Sequence, residues 1–172
     1  MKKYTAEDLK RFEKDEIGRL LCPAGDYTEI ASFPEGCSFG AGCRFGERCS
    51  FGEDCRFGKG CSFGEWCRFG KWCSFCEDCS FGEGCSFEGG HIAAPGYPML
   101  TFGGFGGANR TTYAFNCQDG IWVRCGCFSG SLEEFREKVR ERHGNTPFAF
   151  EYLAVADLIE RRFSRGGEVR LG

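Results

Sequence analysis

Residues 37–90 read CSFGAG, CRFGER, CSFGED, CRFGKG, CSFGEW, CRFGKW, CSFCED, CSFGEG and CSFEGG, nine six-residue units without a gap. Two degenerate units precede them in register, GDYTEI at 25–30 and ASFPEG at 31–36, so the run begins at Gly25. In a strand, residues two apart share a face. Cys at position one and Phe at position three therefore point together, and the Ser or Arg between them points away. This assigns Cys37, Phe39, Cys43, Phe45, Cys49, Phe51, Cys55, Phe57 and Cys61 to a core. Phe63, Cys67, Phe69, Cys73, Phe75, Cys79, Phe81, Cys85 and Phe87 continue it. Glycine at position four is expected to permit the corner through φ > 0. Positions five and six hold Glu, Asp, Lys, Arg, Trp or Gly, as exposed corners do. A strand this short buries too little alone and must stack on copies of itself, which predicts a β-solenoid. Glycine at every sixth residue excludes a coiled coil.

The small-x-large-Gly-x-x order resembles the hexapeptide repeat of left-handed parallel β-helices, in which three hexads make a triangular coil. The Cys-x-Phe core also resembles pentapeptide-repeat proteins, whose square right-handed coils use five residues per side. Six residues per side favour the triangle, a left-handed parallel β-helix of about three to four coils. At ~4.8 Å per coil the stack is about 15–20 Å tall. Hexads three apart then share a side. Ser38, Arg56 and Ser74 form one exposed column, Arg44, Ser62 and Ser80 the next, and Ser50, Arg68 and Ser86 the third. Trp66 and Trp72 fall on neighbouring corners of the middle coil. With Arg68, Lys71 and Arg56 they are the candidate partner-binding residues, because exposed tryptophans beside cations are typical hot spots. The competing reading is that both rings merely cover adjacent corners or the C-terminal module.

The 172 residues carry a formal charge of −3, which gives no basic footprint for nucleic acid or an anionic membrane. No apolar run approaches the ~20 residues of a membrane span. The N-terminus, MKKYTAEDLKRF, has no apolar stretch after its lysines, so it does not read as a secretory signal, and a cytoplasmic location is expected. Fourteen cysteines would suit a secreted disulfide scaffold, but nine of them recur every sixth residue. Without a signal, reduced thiols acting as small buried hydrophobes are the favoured reading. Stacked disulfides and a metal cluster remain open alternatives. Zinc sites usually pair ligands two to four residues apart and often add His, whereas the only histidines are His91 and His143. Neither a metal nor a cofactor is therefore expected.

The flanks divide the chain into 1–24, an N-terminal helix and cap; 25–90, the solenoid; 91–110, a Gly/Pro-rich linker; and 111–172, an α+β module. Thr5 to Asp8 resembles a capping box that opens a helix through Lys14, followed by a strand at 20–22. The linker is expected to hold one strand near 99–102. A hairpin is expected from 111–116 and 121–125 around Gln118-Asp119-Gly120. Ser131 to Glu134 caps a helix bearing Leu132, Phe135 and Val139, stopped by Gly144. Thr146-Pro147 opens a second, with Tyr152, Val155, Ala156, Ile159 and Phe163 as its apolar stripe. The tail 164–172 reads as frayed.

Catalytic patterns are missing. Enzymes on left-handed β-helices need a catalytic His or three zinc-binding His, and the repeat holds none; His91 reads as a loop residue. Cys125-Gly126-Cys127 is expected to point both thiols to one buried face, which argues against a redox pair. Gly103 to Gly107 lacks the lysine of a phosphate loop. No Ser/His/Asp set or paired carboxylates can be argued, so no catalytic residue is assigned.

The CSFGEx/CRFGKx array, its GDYT…SFPEG entry and the pattern GIWVRCGCFSGSLEEF…EYL resemble uncharacterised repeat proteins of bacteriophages and gut prophages. That resemblance implies a viral or mobile-element origin and a bacterial host cytoplasm, with no site residues to transfer. It points to a non-enzymatic binder of a host protein or complex, such as an inhibitor of a CRISPR or restriction nuclease. A structural or assembly part of a phage particle is the alternative, and an enzyme built on the C-terminal module is the third. Pentapeptide-repeat proteins imitate DNA, but here the nine units carry Glu47, Glu53, Asp54, Glu65, Glu77, Asp78, Glu83 and Glu88 against Arg44, Arg48, Arg56, Lys59, Arg68 and Lys71. That near-balance is feeble beside a duplex with one charge every ~1.7 Å. Direct nucleic-acid binding and membrane association are not expected; an oligomer is compatible with the fold.

Overall fold

Each hexad contributes one short strand, and strands three hexads apart pair. The computed structural model describes residues 1–96 and 98–165. After a short helix α1 (Ala6–Leu9) come β1 (Leu20–Cys22), β2 (Ser32–Phe33), β3 (Cys37–Phe39), β4 (Arg44–Phe45), β5 (Ser50–Phe51) and β6 (Arg56–Phe57). β7 (Ser62–Phe63), β8 (Arg68–Phe69), β9 (Ser74–Phe75), β10 (Ser80–Phe81), β11 (Ser86–Phe87) and β12 (His91–Ile92) follow. One side of the solenoid is β1-β3-β6-β9, the second β4-β7-β10 and the third β2-β5-β8-β11-β12. The pairs Ser38↔Arg56↔Ser74, Arg44↔Ser62↔Ser80 and Ser50↔Arg68↔Ser86 are in register, as a three-sided coil of eighteen residues demands.

The aromatic rings build the interior. Phe33, Phe51, Phe69 and Phe87 form one stacked column, Phe39, Phe57 and Phe75 a second, and Tyr27, Phe45, Phe63 and Phe81 a third. Within a column the centroids are close to one coil apart, as for Phe45 and Phe63 at 4.9 Å and 4°. Between columns the rings meet edge to face, as for Phe57 and Phe63 at 4.9 Å and 90°. Both geometries suit the ring quadrupole, and each pair adds ~0.5–1.5 kcal/mol beyond burial. Tyr4, stacked on Tyr27 at 5.0 Å, closes the third column at its N-terminal end.

Cysteine fits position one because it is small, apolar and still a weak donor. From Cys55 onward each thiol reaches the position-four carbonyl of the preceding coil, among them Cys61 to Gly40, Cys67 to Gly46, Cys73 to Gly52 and Cys85 to Gly64, at 3.3–3.5 Å. All fourteen cysteines are free thiols.

The position-four glycines serve a different purpose from the one expected. Positive φ falls instead on position six: Gly42 (69°), Arg48 (57°), Asp54 (57°), Gly60 (68°), Trp66 (60°), Trp72 (63°) and Asp78 (61°). Position four needs glycine for close approach. A Cβ on Gly58, Gly64 or Gly82 would lie 2.7, 2.6 or 2.5 Å from a backbone nitrogen of the coil beneath.

The last unit, CSFEGG, breaks the rule and turns the chain back. Glu88 and Gly89 take φ of 51° and 84°, and β12 runs antiparallel to β11, so His91 is a strand residue. Among the described residues no strand follows β10 on its side, and Cys79 and Phe81 are only half-buried where a full core was expected. At the other end α1 stops at Leu9, well short of Lys14. The Asp8 carboxylate accepts from the Thr5 N–H and hydroxyl at 2.7 and 2.8 Å.

Met1–Ala93 and Ala94–Gly172 are two compact units. The second is a four-stranded antiparallel meander of β13 (Met99–Phe105), β14 (Arg110–Cys117), β15 (Gly120–Cys125) and β16 (Phe128–Ser131), with α2 (Leu132–His143) and α3 (Pro147–Ser164). Ala114, Val123 and Cys125 of the sheet pack with Leu132, Phe135, Val139, Tyr152, Val155 and Ile159 of the helices. β13 occupies much of the stretch read as a linker. β16 was not foreseen, because Gly126 (φ 58°) and Cys127 make a two-residue turn. Alternation therefore ends at Cys125, which is buried, and Cys127 is exposed rather than part of the core. Most of the frayed tail expected at 164–172 lies outside the described residues.

Candidate functional site

The side built on β8 brings together four of the five residues singled out from the sequence. The corner Glu65-Trp66 enters it, Arg68 stands exposed at its middle, and the corner Lys71-Trp72 leaves it. Arg56 is not among them. It lies on β6, in register with Ser38 and Ser74, on the neighbouring side.

Both tryptophans sit in the left-handed region at a position where other corners use Gly, Asp or, at Arg48, arginine. An L-residue with a large side chain pays about 1–2 kcal/mol for this conformation. The corners are nevertheless firmly held: the Trp66 N–H donates to the Glu83 carbonyl at 2.8 Å, and the Lys71 carbonyl accepts from the Asp54 N–H at 3.0 Å. The Trp66 ring lies along the column over Gly84, where any Cβ would collide with it, yet its residue remains 53% exposed. Trp72 is half-buried.

The corner charges are strongly patterned. Glu29, Glu47, Glu65 and Glu83 occupy the same corner of successive coils, eighteen residues apart, with Lys3 bonded to Glu29 at 3.2 Å. At another corner Lys59 bridges upward to Glu77 and Asp78 at 3.0 and 3.4 Å. The near-zero charge of the repeat therefore conceals an acidic column beside Trp66 and a cationic pair, Arg68 and Lys71, between the tryptophans. The eighteen-residue spacing of these glutamates carries the column, whereas the net charge of the nine units averages it away.

Chemically the side offers an aromatic ring, cations and serine hydroxyls on a fixed frame, a set suited to non-covalent contact. The solenoid thiols line the interior, where contact with Cys43 and burial push Cys61 up to about 11. Among the described residues no three His, Cys, Asp or Glu side chains are grouped to hold a metal ion, and no helix is long and apolar enough to cross a membrane. The second unit holds a cavity of about 390 Å³ bordered by Arg110, Lys138 and Arg142. Those cations are scattered along the chain and gave no sequence signal. No family model, curated protein or solved structure matches the chain.

Proposed function

We propose that this chain is a non-enzymatic protein-binding scaffold whose contact surface is the side bearing Trp66, Arg68, Lys71 and Trp72. The observation that carries the reading is the left-handed backbone of the two tryptophans. Glycine at those corners would be less strained, so the bulky rings are retained against a local cost, and such costs cluster at functional sites. Exposed tryptophan on a rigid element loses little freedom on binding, which favours affinity per contact. The resemblance to phage repeat proteins supplies the class of partner: a host defence complex, such as a CRISPR or restriction nuclease, met in the bacterial cytoplasm. Shape and local contacts, rather than bulk charge, would carry such inhibition.

The test is affinity capture of the tagged full chain from a host carrying its defence systems, read by mass spectrometry. The wild-type chain is expected to retain a specific protein complex, and Trp66→Gly/Trp72→Gly to lose it. Glycine suits φ near 60°, so the double variant should stay folded by circular dichroism. No specific partner, or a partner retained undiminished by the folded double variant, would sink the reading.

A further inference from the structure

The cavity in the second unit lies between the last turns of α2, the first turns of α3 and the turn joining β13 to β14. Its floor is apolar, with Phe135 and Val139 buried at 3% and 5% exposure. Tyr152 forms a wall and donates its hydroxyl to the Phe105 carbonyl at 3.3 Å. Burial first, then the neighbouring Cys125 thiol, pushes the Tyr152 pKa up, so the phenol stays neutral. At the mouth the Phe148 ring passes 3.1 Å from where a Gly107 Cβ would sit, and its residue is 42% exposed.

The rim is cationic. Arg110 packs against Gly126, where any Cβ would strike the guanidinium, so its head group is confined at the opening. Lys138 is paired with Glu141 at 2.7 Å, while neither Arg110 nor Arg142 has an ion pair among the described residues. Two nearby carboxylates stand outside the lining on backbone donors: Glu151 accepts from the Gly106 N–H at 2.9 Å and Glu134 from the Ser131 N–H at 2.7 Å. No Asp or Glu side chain lines the cavity among the described residues.

We infer that this cavity is a binding site for an amphipathic anion, with an aromatic or acyl body seated on the phenylalanine floor and its head group at Arg110 and Arg142. The volume falls within the range of small-molecule sites, which are mainly apolar with a few placed polar groups. Two unpaired guanidiniums beside a low-dielectric floor favour carboxylate or phosphate over a neutral or cationic head. The site is independent of the surface bearing Trp66.

The test uses the full chain and anilinonaphthalene sulfonate as a fluorescent anionic probe. A saturable one-to-one complex is expected, with perturbed amide resonances confined to the cavity lining. Phenylnaphthylamine, which has the same rings without the sulfonate, should bind at least tenfold more weakly. Arg110→Ala/Arg142→Ala, checked for fold by circular dichroism, should weaken the sulfonate by at least tenfold and leave the neutral probe unchanged. Should the double variant fail to fold, Lys138→Gln supplies a one-unit charge change at the same rim with the same expected direction. Displacement by decanoate or by decyl phosphate supports the site and identifies the preferred head group; displacement by neither overturns it. Equal affinity for the two probes, or resonance changes centred elsewhere in the chain, would also overturn it.

Discussion

Two kinds of glycine alternate along this chain, and substitution separates them. At Gly64 an added Cβ would meet the Glu47 nitrogen at 2.6 Å, and backbone cannot yield to it without moving a coil. At Gly60 nothing lies within 4 Å, and the only cost is the positive φ of 68°. Gly64→Ala is therefore expected to destabilise by about 2–3 kcal/mol, as overpacking does. Gly60→Ala should cost only about 1 kcal/mol, because the left-handed conformation alone is penalised. Urea melts of the two variants compare them directly, and equal losses would refute the distinction. The sequence displayed both glycines but not their roles. A recurring Gly signals that a Cβ is unwelcome, and only the coil beneath reveals whether sterics or φ excludes it. Cys76, which occupies position four of the seventh unit, is the exception in the regular part of the array.

Between elements, a polar clasp ties the two helices of the second unit together. Arg136 of α2, its side chain 10% exposed, bonds Glu133 at 2.6 Å and reaches Asp157 and Glu160 of α3 at 3.0 and 2.7 Å. Arg136→Met keeps the apolar stem and removes all three bonds, so a loss of about 1–3 kcal/mol is expected. The carboxylates are more than half exposed, so the loss measured by thermal melts should shrink with added salt. An unchanged melting temperature at low salt would show that the clasp is idle. Helix placement was legible in advance, because Ser131-Glu134 and Thr146-Pro147 announce their own starts. β16 was not, since its four residues follow a turn at Gly126-Cys127 that reads equally well as the end of a strand. The columns of the candidate site were legible as well: Arg68 stands with Ser50 and Ser86 and Arg56 with Ser38 and Ser74, so Arg56 belongs to the neighbouring side.

Across the whole molecule, the buried thiols couple the fold to alkaline pH. Cys61 is held up to about 11, by contact with Cys43 and by burial, and burial followed by the nearby Asp119 carboxylate pushes Cys117 up to about 12. Cys37, Cys49, Cys79 and Cys85 are pushed up as well, by sulfur neighbours first and burial next, whereas the same kind of sulfur contact pulls Cys43, Cys55 and Cys67 down. An unfolded thiol releases its proton near pH ~8.5, whereas the raised folded ones keep it, so stability present below that pH is lost as pH rises toward 11. Each such thiol contributes a slope of up to about 1.4 kcal/mol per pH unit in that window. The melting temperature in reductant is expected to fall steeply from pH 9 to 11; a flat profile would refute the burial of the ladder.

The eighteen-residue coil finally sets a rule for how such a chain can change length. Duplicating three consecutive hexads inside the array restores every ring column and the glutamate column at once. Duplicating one or two would advance all later hexads by one or two sides, so an insertion between Glu47 and Glu65 breaks that succession and one between Trp66 and Gly84 carries the ring off its column. Because β12 turns back on β11, new coils can enter only within the stack and not at that end. Length variation in chains of this design should therefore be quantised in whole coils, a tuning mechanism that extends the scaffold without redrawing its sides.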